Sequence, residues 1–538
     1  VLRAASLVVV VAVLLSGCTA SSGSVDDVIR ATGSEPANPL IPADTVEIGG
    51  ARIVDSIFAG LVTYQPDGTA VNDVADTIEA SADKKVFTVT LRDGLEFTNG
   101  GPVDSDSFVN AWDWAADSAN KALDQSAFSD ILGYLPDDPA TPDVERSSLI
   151  EKGGLVVVDA RTFEIHLKAG QADFPQRLGT RAFFPLPDAF YDDPAAFGEH
   201  PIGNGPYRID GEWRHGEGID LVANPDYDGP RKPVNAGVSL VFYKDADTAY
   251  VDVLAGFLDV IDTLPASAIP NFKDELGPNA LDVPGATLLS IVVPAKLKHL
   301  VGREGVLRRA ALSLAIDRAT IVNQTFGDHR IIARDFTAPV VAGYSDVLSG
   351  AEVLNYEDDL AKDYWAQADA IKKTGPWEGT LQIAYAADSS DAAGIEAVAG
   401  SIARIIGIDV ETVPYPTQDD LDAAVADGSL KTPFVRSQTA HYPGMLSFLG
   451  SSYVTKAPRN VGGYSSKDFD AAMKAAALAG SPAEVLDSLK DAQRFLFTDL
   501  PAIPLWYSTR EAGAGDKVAD FSLGWDGVPA YWAITKTS

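Results

Sequence analysis

Three short runs could assemble a serine acyl-transfer centre. Ser81-Ala82-Asp83-Lys84, Ser118-Ala119-Asn120 and Lys373-Thr374-Gly375 occur in the order such chemistry uses: a hydroxyl nucleophile with a lysine one helical turn later, a polar serine, and a lysine on a strand edge. The chemistry needs Ser81 to open a buried helix, so that Lys84 comes back beside it and can take its proton. The residues after Ser81 alternate instead, and Lys373-Thr374-Gly375 runs straight into Pro376 after a helical stretch. Context therefore argues against a nucleophile. No Gly-x-Ser-x-Gly elbow, His-Glu-x-x-His helix or phosphate-binding glycine loop occurs either. With one cysteine, Cys18, and six scattered histidines, the chain offers neither an internal disulfide nor a cysteine-based zinc site. The expectation is a protein with no catalytic residues, no metal site and no cofactor.

Cys18 has a different use. Leu7 to Leu15 form a short apolar run behind Arg3, of signal-peptide length and well below the roughly 20 residues that a spanning helix needs. The run closes in Leu15-Ser16-Gly17-Cys18, which resembles the lipobox of bacterial lipoproteins. That resemblance implies a signal peptide over 1–17 and an acylated Cys18 heading a flexible tether over 18–30. The body is then extracytoplasmic and held to the membrane through the lipid alone. Charge narrows the partners further: 42 Lys and Arg against 76 Asp and Glu give a net −34, which repels phosphate backbones and excludes nucleic acid.

The elements that must position any site follow from periodicity. A length of 538 residues with 46% apolar content suffices for about three to four domain-sized units with large cores. Phe87, Val89 and Leu91 alternate as in a half-buried strand. Phe108, Trp112, Ala115 and Ala119 fall at helical spacing behind a capping Asp104 or Ser105. Leu155–Val158 and Phe163–Leu167 flank Asp159-Ala160-Arg161 as a hairpin. Leu381–Tyr385, a helix through Ile395, Val398, Ile402 and Ile405 ended by Gly407, and Ile408–Val410 read as a strand, helix, strand unit with parallel strands. Glu304–Arg318 reads as one helix with Leu307, Ala311 and Leu314 on a common face. Hairpins mixed with crossover units make the class α/β.

Several blocks in order resemble the family 5 extracellular solute-binding proteins, the oligopeptide- and dipeptide-binding components of ABC importers. They are Ile53–Val62, Asp67-Gly68, Phe87–Phe97, Pro201-Ile202-Gly203-Asn204-Gly205-Pro206-Tyr207 with Trp213 and Asn224–Tyr227, Leu307–Ala310 with Ala315–Arg318, and Pro501–Tyr507. Taken alone, the Gly203-Asn204-Gly205-Pro206 block reads as a structural strand-entry turn. The resemblance implies a two-lobed periplasmic-binding-protein-like fold, class II and cluster C in type, with an extra domain inserted in the first lobe. By that analogy 31–65, 181–289 and 502–538 form the first lobe, 66–180 the inserted domain and 290–501 the second lobe. A monomeric receptor would close on a peptide or other small molecule and present it to a permease driven by ATPase subunits.

The resemblance also implies cleft residues. Peptide-binding members hold the ligand's ammonium on the Asp of an Asp-Tyr-Pro-like motif. Here Arg436-Ser437-Gln438-Thr439-Ala440-His441-Tyr442-Pro443 sets His441 in its place, and an imidazole cannot neutralise an ammonium. Another carboxylate takes over, or the ligand lacks a free amino terminus, or it is not a peptide but a sugar or metal chelate. Candidate contacts are Arg436, Gln438, Thr439, Ala440, His441 and Tyr442. By position in the family pattern Asn38, Leu40, Phe128 and Tyr507 join them, with Trp506 beside the last. A penicillin-binding serine enzyme, from the three runs above, is the remote alternative.

Overall fold

The computed structural model describes residues 27–136, 146–371 and 375–537. Cys18 and its flanks lie outside the described residues, as do Lys373 and Thr374. Among the described residues no helix is long and apolar enough to cross a membrane.

Two antiparallel strands, Ala280–Val292 and Ala502–Ala514, organise the molecule. They sit mid-sheet among eleven described strands. Beyond the first lie Phe434–Thr439, Leu381–Ala386 and Val410–Tyr415. Beyond the second lie Val260–Ile261, Val28–Gly33, Gly237–Phe242, Gly218–Ala223 and Tyr207–Ile209. Arg330–Ile332 pairs with Trp506–Ser508. Each long strand thus serves one group of strands with one end: Thr287–Val292 pairs with Phe434–Thr439, while Gly513 and Ala514 pair with Val260–Ile261. Between Pro284 and Leu288 the ladder slips register, as expected where a proline removes a donor and a bulge bends the pair.

The apolar core divides accordingly. One cluster joins Ile29, Phe58, Phe87, Trp112, Phe183 and Ile534. Two others gather Leu288, Phe336, Phe448 and Tyr507, and Leu312, Ile383, Ile402 and Trp506. The fold is two-lobed α/β. A separate four-stranded antiparallel sheet, Ala75–Ala80, Val86–Leu91, Thr162–His166 and Leu155–Asp159, packs into the first cluster. Phe183 meets Trp112 edge-on at 5.0 Å and Phe128 at 5.1 Å, so this sheet has no core of its own.

Local chemistry explains most elements. Phe87, Val89 and Leu91 are buried and their neighbours are not. Asp104 and Ser107 form a reciprocal capping box on Ser105–Ala116; that helix stops before Ala119, at Asp117. Gly407, at φ +78°, ends Ala392–Ile406 in the left-handed conformation that favours glycine. The single helix expected over 304–318 is two, Gly302–Leu314 and Arg318–Phe326, because Asp317 caps a new start by accepting from the Thr320 N–H.

The sequence blocks prove to be interior fastenings. Asn204 Oδ1 accepts from the Ala59 N–H and its Nδ2 donates to the Ala59 carbonyl, both at 3.0 Å. Gly203 lies so close that a Cβ there would sit 1.9 Å from the Ile57 oxygen. Fully buried Arg308 bridges Glu304 (2.9 Å) and Asp369 (2.8 Å) while stacking 4.5 Å over Trp365. Arg318 donates to the carbonyls of Ser313, Leu354 and Pro504; burial, and then Arg334, push its guanidinium down to about 9.

Candidate functional site

A cavity of about 650 Å³ opens where the two lobes face each other. Its size lies within the range of small-ligand sites. One wall comes from Arg52–Ser56, Val62–Tyr64 and stretches of 124–130 and 171–184. The facing wall comes from 441–477, and Gly524–Trp532 adds a third side. Hydrogen bonds tie the walls together: Tyr442 Oη donates to Asp173 Oδ2 at 3.2 Å, and the Ala172 N–H to the Ala477 carbonyl at 2.8 Å.

Charges on the first wall are mostly matched. Arg181 Nη1 holds Asp55 Oδ2 at 2.8 Å and its Nε donates to the Thr45 carbonyl. Arg177 Nη1 lies 2.5 Å from Asp130 Oδ2, and its Nη2 donates to the Ala127 carbonyl at 2.9 Å. Arg52 pairs with Asp262 at 2.6 Å. Three carboxyls are less well served. Burial pushes Asp173 up to about 6, against the pull of Arg177 and Tyr442, and its Oδ1 has no hydrogen-bond partner among the described residues. Burial also raises Asp124, partly offset by Arg181, Arg459 and Arg177. Asp526 is raised by burial and then by Asp55. Aromatic faces fill the gaps, with Tyr64 edge-on to Trp525 at 5.7 Å.

On the facing wall, the His441 backbone N–H donates to Ser447 Oγ at 2.7 Å, fixing the loop, while the ring lies on the cavity. Burial, then Arg459 and Arg181, push the imidazole down to about 4. The ring is therefore neutral at physiological pH. Behind this wall a pocket of about 60 Å³ is lined by Arg436, Gln438, Asn460 and Tyr464, and it shares Arg459 with the main cavity.

Residues 69–458 match the model of the bacterial extracellular solute-binding proteins, family 5 Middle. The chain belongs to that family. It is 24% identical to the oligopeptide-binding protein OppA of Bacillus subtilis over 70% of this chain and 68% of that one. It is also 24% identical to the dipeptide-binding protein DppE of the same organism, over 84% and 82%. The fold superposes on the unliganded open form of the murein tripeptide binding protein MppA with a TM-score of 0.80 at 21% identity, covering 95% of this chain and 97% of that one.

Of the residues expected to contact a ligand, this family 5 chain brings only His441 and Tyr442 to the main cavity. Arg436 and Gln438 line the smaller pocket, though the Gln438 amide is spent on the Phe448 carbonyl at 2.9 Å. Thr439 is bound to Thr287 across the strand pair and Ala440 is buried. Phe128 is wholly buried against Trp112 and Phe183, off the cavity, because a phenyl ring gains most by leaving water altogether. Tyr507 is equally buried, its hydroxyl donating to the Asp335 carbonyl at 2.8 Å and accepting from the Asp335 N–H at 2.9 Å. Trp506 is buried and donates from Nε1 to Asp391 at 2.9 Å. Leu40 is core, tied by its N–H to the Gly198 carbonyl, and half-buried Asn38 lies away from the cavity. Sequence reasoning missed Asp55, Asp124, Asp173, Arg177, Arg181 and Arg459.

Two sets outside the cavity bear on chemistry. Ser81 Oγ donates to Asp83 and accepts from the Lys85 and Val86 N–H groups, which makes it a turn fastener. Ligand atoms of Asp282, His329 and Glu511 lie within 4.8 Å of one another on and beside the long strands, the one such group among the described residues. Asp282 already holds Lys273 at 2.6 Å.

Proposed function

We propose that the chain is the substrate-binding lipoprotein of an ABC importer, held outside the cell by an acylated Cys18, which captures oligopeptides between its lobes and hands them to the permease without altering them. The observation that carries this reading is the cavity itself: it is walled by both lobes, so a bound molecule makes part of its contacts only when the lobes face each other, which is what drives closure. The bulged pair Ala280–Val292 and Ala502–Ala514 is the natural hinge.

The lobe division follows: 31–65 with 181–289 and 502–538, the insert 66–180, and 290–501. In this division Ala502–Tyr507 acts with the second lobe, since Ala502–Pro504 pairs with Ser290–Val292, and Trp506 and Tyr507 with Ile332 and Ile331. A ligand without a free amino terminus is the second reading, favoured by the neutral His441 beside Arg459 and Arg181. Native mass spectrometry of the molecule that copurifies, paired with X-ray scattering with and without it, tests the proposal. A peptide that leaves intact, and a smaller radius of gyration when it is present, are expected. A cleaved product, or one unchanging envelope, refutes the receptor role; a sugar or chelate refutes the peptide cargo alone.

A further inference from the structure

The wall supplied by residues 436–477 carries no carboxylate to either cavity; among the described residues its charged or imidazole groups there are Arg436, Arg459 and His441. In a chain with 76 acidic and 42 basic residues this is a sharp local reversal. It also differs from the opposite wall in how its cations are used. Arg52, Arg177 and Arg181 each hold a carboxylate, whereas the guanidinium groups of Arg436 and Arg459 hold no hydrogen bond or ion pair among the described residues. Their backbones are fixed: Arg436 lies in the strand Phe434–Thr439 opposite Ser290, and the Arg459 N–H donates to the Ser451 carbonyl at 3.1 Å. The two guanidiniums line one pocket of about 60 Å³ and repel each other there, with Asp124 of the opposite wall offsetting part of the repulsion at Arg459. Two like charges are kept together at a ligand cavity at a cost that an incoming anion removes.

We propose that Arg436 and Arg459 together hold a side-chain carboxylate of the cargo, so that this receptor selects acidic peptides. A planar guanidinium meets a carboxylate through two parallel N–H donors, and a second guanidinium can take the remaining lone pairs. The neutral His441 ring adds a donor without adding charge. An ammonium brought to the two guanidiniums meets two cations, and the carboxylates that face this wall, Asp124 and Asp173, belong to the opposite side.

The inference rests on the peptide-receptor reading, and calorimetry on the intact protein separates the two. The probes are a capped peptide, acetyl-Ala-Glu-Glu-Ala-amide, its glutamine counterpart, and glutarate as a non-peptide dicarboxylate. The glutamate peptide should bind at least tenfold tighter than the glutamine one. The double variant Arg436→Gln/Arg459→Gln should bring the two together with a melting temperature no lower than that of the native protein, since neither side chain has an internal hydrogen bond or ion pair to lose and their mutual repulsion is removed. Equal affinities in the native protein, or a preference that survives in the double variant, overturn the anion site while leaving a peptide receptor. If only glutarate binds, and weakens tenfold in the double variant, the anion site stands and the peptide cargo falls. Binding of no carboxylate probe overturns the anion site.

Discussion

Replacing Asp173 by asparagine should make the protein more stable at neutral pH, although it removes a charge that faces an arginine. The carboxyl is buried at the contact between the lobes, accepts from Tyr442, and is pushed by burial from its ordinary 3.8 up to about 6. At about 1.36 kcal/mol per pH unit, that rise corresponds to roughly 3 kcal/mol of charge burial. The amide keeps an oxygen for Tyr442 but turns an N–H2 toward the place where Oδ1 has no partner, costing about 1 kcal/mol. A gain of about 2 kcal/mol remains. With an unfolding entropy of roughly 1.1 kcal/mol/K for 538 residues, this is a melting-temperature rise of about 2 °C. The pH dependence is the sharper assay. The native state holds this proton more tightly than the unfolded chain, so its stabilisation is complete below 3.8 and is lost as the pH rises through about 6. Scanning calorimetry of both proteins from pH 4 to 7.5 should show a variant slightly less stable at the acid end that overtakes the native protein between 3.8 and about 6, with a constant gap of about 2 kcal/mol above that. A variant less stable at pH 7.5, or an advantage that grows on acidification, refutes the reasoning.

Cys18→Ala should move the protein from the membrane fraction to the medium, read by fractionation and blotting. Gly203→Ala would force a methyl to within 1.9 Å of the Ile57 oxygen, and a loss of at least about 2 kcal/mol in urea denaturation is expected. His441→Asp should raise calorimetric affinity for peptides with a free amino end and lower it for the capped glutamate peptide. Unchanged binding of both would separate His441 from recognition.

What the sequence made legible is what short-range chemistry controls. The alternation of Phe87, Val89 and Leu91, the cap at Asp104 and the stop at Gly407 all depend on neighbours within a few residues. The break at Asp317 was hidden because Leu314 and Arg318 keep helical spacing across it. Phe128 and Tyr507 were misread because an aromatic ring looks the same in a sequence whether it fills a core or faces a ligand. Spacing has no record of pairs such as Arg181 with Asp55 or Arg177 with Asp130, whose members sit on separate elements. Arg459 carries no signal of its own; it becomes visible only when Arg436 and His441 are found beside it.

The strand Ala502–Ala514 is made last among the sheet's members, yet it lies between strands that precede it by more than two hundred positions. Until the ribosome has passed it, neither half has its central seam. The sheet's central pairing is therefore among the last contacts that the growing polypeptide can make, and both halves wait on one late ribbon to be joined.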